Sequence, residues 1–586
     1  MEKWFVRNKN IDYNEIAKKN GISQIVSKIL VNREIFLKDS IENFLNGDLN
    51  HLHSPIIMND IEKAGKLIKM YISQNKRIRI VGDYDVDGVM STYILYTSFL
   101  KLGANIDYVV PDRIKDGYGI NESIVKTAKE ENIDLIITCD NGISAFDAVN
   151  LSKQLGIKMI ITDHHDLSYK IQNNEKIYMV PDADAVINPK NLKCEYPFKK
   201  LCGAGVAYKL IEYVYDLYEI NKNELYSLLE YVGIATVCDV VDLIDENRII
   251  VKHGLNLINN TKNIGLKALI EVSGIKNKIS TYHLGFIIGP TINASGRLET
   301  ALLALDLLLC KDEITAYEIA ENLRALNEER KAITNIGIEG VKQQIEETKL
   351  KKDKVLLVFV PDIHESVAGI VAGRIKEMYN KPTIVLTKSV DGVKGSGRSI
   401  DVYNLFEELN ECKELLKGFG GHPMAAGLSL HRDNIENLRT KLNNITSLKE
   451  EDFYKKIYID LVLPISFLND SVMEDLNLLE PFGKGNSKPL FGEKNLSIKK
   501  LYKYGEKKNV LKFNLYDNKS TYIDALIFNN TLNFEESIIS KYGNEELEKL
   551  YRGEENNISL DIIYYPSYNH YNGKTTIQIT IESYRI

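Results

Sequence analysis

Residues 77–88 read RIRIVGDYDVDG. A strand pattern rich in Ile and Val, RIRIV, passes through Gly82 into three aspartates at alternate positions, Asp83, Asp85 and Asp87, and then into Gly88, which lets the backbone turn sharply. Taken alone, such a run is compatible with a calcium loop or with a plain polar turn. Because clustered carboxylates repel one another and are costly to bury, however, the arrangement is favoured mainly when divalent cations lie among them. The stretch therefore predicts a buried strand that ends in a metal site.

From this stretch onward the sequence alternates between strand and helix patterns. Short runs of Ile and Val predict four strands, Arg77–Gly82, Ile106–Val110, Asp134–Thr138 and Lys158–Thr162. The segments between them predict three helices, Val89–Leu102, Glu122–Glu131 and Ala145–Gly156. Strands that are apolar throughout and separated by helices indicate a parallel sheet covered on both faces. Ligands of such sheets gather beyond the carboxyl ends of the strands, so Asp83, Asp140 and Asp163, which each follow a strand, are predicted to face one crevice.

Composition and length describe an ordinary globular protein of several domains. The chain has 586 residues, of which 44% are hydrophobic and 26% charged, and this length predicts about three or four domains. The formal net charge of -7 argues against bulk attraction to nucleic acid, although it leaves room for a local basic groove. The six cysteines form no CxxC pair, so neither a thiolate zinc site nor a disulfide scaffold is indicated. With no secretion signal after Met1 and no apolar run of roughly 20 residues, we expect a soluble protein of the reducing cytoplasm.

The later regions of the chain follow different patterns. Leu201–Leu243 is predicted to be helical, and residues 302–350, rich in Ala, Leu, Glu and Lys, are predicted to form one or two long helices. Strand patterns at Lys354–Val360 and Pro382–Thr387 indicate a second α/β unit. Beyond about Asp452 the pattern changes to short alternating segments, which is typical of a small all-β barrel.

The polar clusters, taken together, resemble the motifs of a known family. The clusters are Asp83–Gly88, Asp140–Gly142, Asp163–His165 and Asp239. In order and context they resemble those of the DHH phosphoesterase superfamily and, within it, of the single-strand-specific DNA exonucleases. Further segments that resemble the same enzymes are residues 111–113 with 116–119, residues 201–207 and residues 293–298. The resemblance extends from about Arg77 to Ile586, which is nearly the whole chain.

This resemblance implies an α/β multidomain protein. It predicts an N-terminal segment over residues 1–69 whose role stays open, a DHH catalytic domain with a mainly parallel sheet over 70–300, connector helices over 301–350, a DHHA1 α/β domain over 351–450 and an OB-like β-barrel over 451–586. Leu479–Asn486 resembles the entry to the OB-like domain of the exonucleases, which the shorter DHH enzymes lack. Barrels of this kind commonly hold single strands without reading their sequence, so this domain favours a polymeric substrate.

The same resemblance implies a catalytic centre with two divalent cations, Mn²⁺ or Mg²⁺. Its expected ligands are Asp85, Asp87, Asp140, His164 and Asp239, with Asp87 or Asp140 as the bridge. The predicted catalytic set is completed by Asp83 and by His165, whose role as hydrogen-bond donor or proton carrier stays open. Mixed carboxylate and imidazole ligation suits these ions better than a closed zinc site. Two such ions about 4 Å apart activate a water molecule and stabilise charge during phosphodiester hydrolysis.

A second group of residues is predicted to hold phosphates of the substrate. GSGRS at residues 395–399 and GGHPM at residues 420–424 resemble the DHHA1 domain. Small residues let backbone N–H groups approach phosphate oxygens, and an arginine adds a charged, two-pronged donor. Taken alone, GSGRS also fits a tight glycine turn with a solvated arginine. The candidates for holding terminal or adjacent phosphates are Arg113, Arg297, Ser396, Gly397, Arg398 and His422.

The resemblance implies a metal-dependent exonuclease that degrades single-stranded DNA from its 5′ end to 5′-mononucleotides in recombination and repair. An alternative is a DHH phosphodiesterase acting on oligoribonucleotides or cyclic dinucleotides, which would share every metal ligand but would need no barrel. A third hypothesis is a DNA-binding scaffold on a catalytically dead core, which is disfavoured because no ligand position is replaced. By the same resemblance we expect a monomer without a membrane partner that acts on single-stranded DNA with a single-strand-binding protein and a repair helicase.

Overall fold

The chain divides into two compact units in a computed structural model. The larger unit comprises residues 52–455, and the smaller unit comprises residues 1–51 together with residues 456–586. The structure describes residues 2–113, 115–172, 175–389, 392–505, 508–518, 521–528 and 531–586. None of the helices in these described ranges combines the length and apolar character that a bilayer span requires.

The chain begins with elements of the smaller unit. They are strand β1 (Glu2–Val6) and helices α1 (Tyr13–Asn20), α2 (Gln24–Asn32) and α3 (Lys38–Asn46). Helix α2 starts where the Ser23 hydroxyl accepts a hydrogen bond from the Val26 amide. Its apolar residues at helical spacing, Val26, Ile29 and Leu30, are fully buried. Helix α4 (Ile61–Ser73) then opens the larger unit.

The predicted parallel sheet is confirmed in the larger unit. The strands of this region are β2 (Arg77–Val81), β3 (Asn105–Val109), β4 (Leu135–Cys139), β5 (Lys158–Thr162), β6 (Tyr169–Gln172), β7 (Glu175–Tyr178) and β8 (Ala185–Ile187). Strands β6 and β7 pair as a separate antiparallel hairpin, and the others form one parallel sheet in the spatial order β3, β2, β4, β5, β8. The connecting helices are α5 (Val86–Lys101), α6 (Glu122–Glu130) and α7 (Phe146–Gln154). Helix α5 starts earlier than predicted because the Asp85 carboxylate caps it by accepting from the Gly88 amide at 3.1 Å.

A series of helices follows the first sheet. They are α8 (Gly203–Leu217), α9 (Lys222–Ser227), α10 (Leu229–Cys238), α11 (Asp245–Ile258), α12 (Ile264–Val272), α13 (Thr281–His283), α14 (Gly289–Leu298), α15 (Leu302–Leu309) and α16 (Glu313–Glu347). One π-helical turn, Leu284–Ile288, joins α13 to α14. The predicted connector corresponds to α15 and the long helix α16, whose first turn is capped by Asp312 accepting from the Thr315 amide at 2.8 Å.

The second α/β layer belongs to the same unit. Its elements are β9 (Leu356–Phe359), α17 (Ala368–Tyr379), β10 (Thr383–Ser389), β11 (Gly392–Arg398), α18 (Leu405–Asn410), β12 (Leu416–His422), β13 (Ala425–Leu430) and α19 (Ile435–Ile445). The spatial order is β12, β13, β11, β10, β9, with β9 and β10 parallel and the other pairs antiparallel. Ser396 lies opposite Gly427, which lies opposite Gly420 on the next strand. The two glycine motifs of the sequence therefore share one region of this sheet.

The C-terminal strands close into a barrel. The elements are β14 (Lys455–Ile459), β15 (Leu461–Val462), α20 (Asp470–Asn477), β16 (Phe491–Tyr504), β17 (Val510–Tyr516), β18 (Tyr522–Phe528), α21 (Thr531–Tyr542), α22 (Asn544–Arg552), β19 (Ser559–Tyr571) and β20 (Lys574–Arg585). Strands β16, β17, β18, β20 and β19 pair in that order, and β19 pairs back with β16. Leu511, Phe513 and Leu515 alternate into its core. The predicted barrel is confirmed, although α21 and α22 lie in a region that was predicted to be all-β.

The N-terminal elements belong to the same core as the barrel. Strand β1 pairs with β14, and the Arg7 amide donates to the Ile459 carbonyl at 2.8 Å. Val26 and Leu30 of α2 are buried in one hydrophobic cluster with Phe491 of β16. The first 51 residues therefore fold with the C-terminal region, although hundreds of residues separate them in the sequence.

Candidate metal centre and phosphate cavity

Three aspartates lie between β2 and the first turn of α5. Asp83 lies in the loop, Asp85 is the N-cap of α5, and Asp87 lies in its first turn. Gly88 is required here, because a Cβ atom at this position would collide with the Asp83 carbonyl oxygen. The tight turn thereby brings all three carboxylates to the carboxyl end of β2.

The N-terminus of α8 packs against two of the predicted ligands. The backbone amides of Gly203 and Ala204 donate to the two carboxylate oxygens of Asp87, at 2.6 and 2.7 Å. A Cβ atom on Gly203 would lie 2.6 Å from the Cβ atom of Asp140, so the glycine makes room for this aspartate. Asp140 follows β4 and adopts a left-handed backbone conformation with a φ of 61°. The glycine-rich segment noted in the sequence therefore positions the acids directly.

Asp163 orients the two histidines that follow it. Its Oδ1 atom accepts hydrogen bonds from the amides of His164 (2.7 Å) and His165 (3.1 Å) and from Nδ1 of His165 (2.7 Å). Its Oδ2 atom accepts from the Ile143 amide at 2.9 Å. Both carboxylate oxygens are therefore engaged, and this aspartate fixes the imidazole that reaches the site. Sequence reasoning predicted that Asp163 faces the crevice but assigned it no catalytic or metal-binding role, although it belongs to the triplet that carries the family resemblance.

His164 lies at the centre of the predicted ligands. Its Nε2 atom lies 3.1 Å from Asp140 Oδ1, 3.7 Å from Asp87 Oδ2 and 3.7 Å from Asp239 Oδ2. Asp239 reaches this position from the C-terminal end of α10. Among the described residues, donor atoms lie within 4.8 Å of one another in three overlapping groups: Asp83, Asp85 and Asp140; Asp87, His164 and Asp239; and Asp140, His164 and His165. The structure therefore brings every predicted catalytic residue into one cluster, which we call the acid cluster.

Several atoms of the acid cluster that could bind a metal ion are buried and have no hydrogen-bond partner. Within the described ranges these atoms are Asp83 Oδ1, Asp140 Oδ1, His164 Nε2 and Asp239 Oδ2. A buried polar atom without a partner costs free energy, so several that converge indicate a ligand of complementary charge. Carboxylate oxygens with one imidazole are suitable donors for a hard divalent ion such as Mn²⁺ or Mg²⁺. The residues present therefore fit a pair of divalent ions.

Burial and crowding shift the ionisation of the acid cluster. Burial, with the charge of Asp85, raises the pKa of Asp87 to about 6. Burial, with the charges of Asp87 and Asp85, raises the pKa of Asp239 to about 8. Burial lowers the pKa of His164 to about 3. Burial opposes the charged form of His165 as well, but the hydrogen bond to the preceding aspartate raises its pKa to about 9. The acids therefore resist ionisation unless positive charge compensates them.

A cavity of about 800 Å³ adjoins the acid cluster. It is lined by Arg113 from the loop after β3, by Arg297 from α14, and by Ser396 and Arg398 from the second layer. Tyr84, which lies between two aspartates of the acid cluster, lines the same cavity. Four of the residues predicted to bind phosphate thus face one space, which we call the arginine cavity.

Neutral groups hold two of the arginines in place. Arg297 Nη1 donates to the Ser366 carbonyl at 2.6 Å. Arg398 Nη1 donates to the Gly397 carbonyl at 2.8 Å and to the Ser396 hydroxyl at 3.1 Å. Because a guanidinium group has five N–H donors, both side chains keep donors for a ligand.

The arginines of the cavity also disfavour one another's charge. Burial and the charge of Arg113 lower the pKa of Arg297 to about 9, and the same two causes lower the pKa of Arg398. Arg113 lies over the ring of Tyr84, 4.8 Å from its centre. In the part of the chain that the structure describes, no carboxylate forms an ion pair with any of the three. Positive charge that the chain leaves uncompensated fits a phosphate group.

Gly397 and His422, the other predicted phosphate-binding residues, are not among the described residues that line the arginine cavity. A Cβ atom on Gly397 would lie 2.5 Å from Leu405 Cδ2, so the missing side chain serves core packing. His422 ends β12, where burial and the charge of Arg398 lower its pKa. The structure therefore does not bring these two residues to the cavity wall.

Tyr118 is a site residue that sequence reasoning missed. Its hydroxyl donates to the Asp140 carbonyl at 2.9 Å and lies 3.2 Å from both ring nitrogens of His165. It belongs to a segment quoted for the family resemblance, but a tyrosine in a turn carries no local signal of catalysis. Its position beside two predicted catalytic residues becomes visible only when the loops after β3, β4 and β5 are brought together.

Comparisons with known proteins identify the domains and the family. Three family models match: the DHH family N-terminal domain over residues 77–236, the DHHA1 domain over residues 352–447 and the RecJ OB domain over residues 459–583. The chain is 37% identical over 513 residues to the single-stranded-DNA-specific exonuclease RecJ of Bacillus subtilis, a match that covers 87% of this chain and 63% of that protein. The chain thus spans less than two thirds of that relative.

Two further comparisons cover most of both partners. The chain is 33% identical over 494 residues to the single-stranded-DNA-specific exonuclease RecJ of Dickeya dadantii, covering 80% of this chain and 84% of that protein. The crystal structure of RecJ in complex with Mn²⁺ from Thermus thermophilus matches with a TM-score of 0.82 and 25% identity, covering 100% of this chain and 79% of that one. With its acid cluster, its two α/β layers and its barrel, the chain belongs to the RecJ family of single-stranded-DNA-specific exonucleases.

Proposed function

We propose that this protein is a metal-dependent exonuclease that removes 5′-mononucleotides from the 5′ end of single-stranded DNA. One observation carries the proposal: two oppositely charged sites adjoin at Tyr84, which lies between Asp83 and Asp85 and also lines the arginine cavity. A terminal phosphate held by the arginines brings the next phosphodiester towards the carboxylates. Family membership supports single-stranded DNA as the polymer.

The acid cluster supplies the metal ligands in this proposal. Asp85, Asp87, Asp140, His164 and Asp239 hold two divalent ions, Mn²⁺ or Mg²⁺, and the Mn²⁺ complex of the Thermus relative supports this choice. When bound, such a pair of ions lowers the pKa of a water molecule and offsets the charge that develops on the scissile phosphate. The amides at the start of α8 keep the Asp87 carboxylate in place throughout.

His165 is the candidate donor from the chain to a non-bridging phosphate oxygen. Asp163 holds its ring through Nδ1 at 2.7 Å, and the Tyr118 hydroxyl lies 3.2 Å from Nε2. A ring that is already oriented loses little entropy when it binds the substrate. Asp83, which is buried in the loop after β2, adds negative charge to the group that it forms with Asp85 and Asp140.

In this proposal the arginine cavity determines that hydrolysis starts at the 5′ end of the strand. A 5′-terminal phosphate carries close to two negative charges, whereas a phosphodiester carries one, so a group of unpaired guanidinium donors favours the strand end. Arg297 and Arg398 supply these donors, and Arg113 and the Ser396 hydroxyl lie beside them. Because the held phosphate and the attacked bond belong to the same nucleotide, the product is a mononucleotide.

The wider role in recombination and repair, in the cytoplasm, is part of the same proposal. All six cysteines carry free thiols, which supports a reducing compartment. A single-strand-binding protein and a repair helicase as partners, and a monomeric enzyme, are further predictions from the family.

A gel assay tests the proposal. Single strands labelled at the 5′ or the 3′ end, a duplex and an RNA strand are each incubated with the full chain and with either Mn²⁺ or Mg²⁺. We expect the 5′ label to appear at once as a mononucleotide, the 3′-labelled strand to shorten gradually, and duplex and RNA to persist. Release of the 3′ label first would contradict the polarity, and inactivity with both Mn²⁺ and Mg²⁺ would favour a catalytically dead scaffold.

Removing the smaller unit separates an exonuclease from an enzyme for short substrates. The larger unit, residues 52–455, contains both the acid cluster and the arginine cavity. We expect this fragment to lose affinity for long single strands much more than it loses hydrolysis of dinucleotides. Equal losses on both substrates would favour a phosphodiesterase for oligoribonucleotides or cyclic dinucleotides.

A further inference from the structure

Two aromatic side chains at the edge of the arginine cavity are exposed. Tyr282 and Phe286 are 59% and 63% exposed, and their rings stack with centroids 5.2 Å apart and an angle of 25° between the planes. The spacing of four residues places both rings on the same side of the helical segment. Two large exposed aromatic residues in contact form an apolar surface that is available to a ligand. We call them the aromatic pair.

The aromatic pair is fixed to the backbone of the acid cluster. Phe286 lies in the π-helical turn Leu284–Ile288, a conformation that is rare and frequent at functional sites. The Cys238 thiol donates to the Leu284 carbonyl at 3.5 Å, and a Cβ atom on Gly289 would collide with the same sulfur. Asp239, one of the predicted metal ligands, is the next residue after Cys238. The pair therefore keeps a constant position relative to the acid cluster.

The ligand that the aromatic pair faces is indicated by its neighbours. Phe286 lines the arginine cavity together with Arg113, Arg297 and Tyr84. Arg113 and Arg297 form no ion pair with a carboxylate among the described residues, so they favour a phosphate, whereas the phenyl face favours a flat apolar group. A nucleotide offers both groups, joined by one sugar. An apolar protein segment would satisfy the ring but leave the adjacent arginines uncompensated.

We propose that Phe286, supported from behind by Tyr282, stacks against a base of the bound strand within the first nucleotides of its 5′ end. This inference rests on the proposed function. Every base has a π-face, so such a contact adds affinity without selecting a sequence. It also places the strand, because a base held on a ring that is fixed to α10 limits how far the chain can slide past the acid cluster.

The test measures binding rather than turnover. Full-length protein, in buffer with EDTA, is titrated against 5′-phosphorylated, fluorescently labelled trinucleotides that are intact or carry one abasic site at the first, second or third position. For the wild type we expect one of the abasic positions to weaken binding about 10-fold, the effect of losing one base–aromatic stack. Phe286→Ala should weaken binding of the intact trinucleotide by about the same factor, and an abasic site at that position should then cause no further loss of affinity. Phe286→Trp should keep the wild-type affinity for the intact trinucleotide and the wild-type loss at the abasic position.

The controls keep this inference separate from the proposed function. Tyr178→Ala removes an exposed aromatic residue of the hairpin β6–β7 and should leave every affinity unchanged. Because Phe286 is exposed, its replacement should leave the thermal unfolding midpoint unchanged. If the wild type binds the trinucleotides and degrades single strands, but Phe286→Ala keeps the wild-type affinities and abasic penalties, the stacking contact is wrong and the pair serves a protein partner. If the wild type neither binds nor degrades single strands, the proposed function itself is wrong.

Discussion

The acid cluster brings acidic side chains together, and the arginine cavity brings arginines together. In both regions, burial and neighbours of like charge disfavour the charged form of the side chains. In the acid cluster, burial and neighbouring carboxylates raise the pKa of Asp87 and of Asp239. In the cavity, burial and a neighbouring guanidinium lower the pKa of Arg297 and of Arg398. Each region therefore crowds groups of like charge, and this crowding disfavours their charged forms. The comparison supports our proposal that each is organised in advance for a ligand of the other sign, which is cations in the first and a phosphate in the second.

The two regions differ in how the fold supplies them. Every residue of the acid cluster comes from the first layer and the helices that follow it, whereas the arginine cavity needs both α/β layers of the larger unit. We therefore expect substitutions in the two regions to affect different kinetic properties. Loss of an acid should reduce turnover, and loss of an arginine should reduce the preference for a phosphorylated 5′ end.

The largest effect is expected for Asp87→Asn. The substitution keeps one oxygen, which can accept from one of the two α8 amides, but it loses the second acceptor and removes the charge needed to hold a cation. We expect kcat to fall by more than about 100-fold, the upper range for residues that merely orient a metal ligand. Hydrolysis of labelled single strands with Mn²⁺ measures this loss, and binding to the same strands should persist.

Asp166→Asn is the matched control for that variant. Asp166 directly follows the two histidines, but its exposed carboxylate pairs with Lys190 at 2.8 Å and belongs to none of the donor groups among the described residues. We expect its kcat to stay within about 2-fold of the wild type, as for most surface substitutions. Equal losses in Asp87→Asn and Asp166→Asn would show that general charge, rather than ligation, controls turnover.

A smaller effect is expected for Asp163→Asn. This change removes the charge that orients the His165 ring, whereas the cation-binding carboxylates stay in place. Loss of a residue that orients a ligand typically reduces activity about 10- to 100-fold. The measurement is kcat at saturating Mn²⁺. An unchanged kcat would mean that the histidines keep their productive positions without this carboxylate.

The arginine cavity is tested by end preference. Arg398→Ala should lower kcat/KM for strands with a 5′-phosphate by about 10-fold, the order expected for one charged hydrogen bond, and should barely change it for strands with a 5′-hydroxyl. Arg374→Ala is the control, because Arg374 lines the same cavity but pairs with Glu377 at 3.2 Å. If Arg398→Ala lowers kcat/KM equally for strands with a 5′-phosphate and strands with a 5′-hydroxyl, the cavity does not recognise the terminal phosphate.

The smallest effect is expected in the pH dependence of stability. The pKa values of Asp87 and Asp239 are raised to about 6 and about 8 in the fold, whereas an unfolded chain gives aspartate a pKa of about 3.9. Between about pH 4 and pH 8 the folded state therefore binds more protons than the unfolded chain, so the free energy of unfolding falls as pH rises. In EDTA, Tm should decrease from pH 6 to pH 8, less so in Asp239→Asn. A Tm that is flat across this range would contradict the raised values.

Much of the first layer could be predicted from the sequence because its signals are local. Continuous Ile and Val runs gave β2, β4 and β5 nearly to the residue. The association of β1 with β14 could not be predicted, because it pairs segments from opposite ends of the chain and neither strand has a distinctive pattern. Helices α21 and α22 were missed because the strand patterns on both sides determined the prediction for the whole region, although the buried Leu547 and Leu550 of α22 have helical spacing.

The candidate site likewise contains residues that local sequence signals predict and residues that they do not. Asp83, Asp140 and Asp163 follow strands, so their convergence could be derived from sheet geometry alone. Asp239 follows a helix and was placed only through the family resemblance. The contacts of Tyr118 depend on how distant segments pack, and no spacing in the sequence records them. The four-residue spacing of the aromatic pair is consistent with the contact between its rings, but it does not show that Phe286 lines the arginine cavity.

The central claim is that the acid cluster binds a pair of divalent ions, and anomalous diffraction tests it most directly. Crystals of the full chain grown with Mn²⁺ would be measured at the manganese absorption edge, beside crystals of Asp87→Asn. We expect two neighbouring peaks in the wild type, one near Asp83, Asp85 and Asp140 and one near His164 and Asp239, with at least one of them lost in the variant. Anomalous peaks elsewhere, or none among these carboxylates, would contradict a two-metal centre.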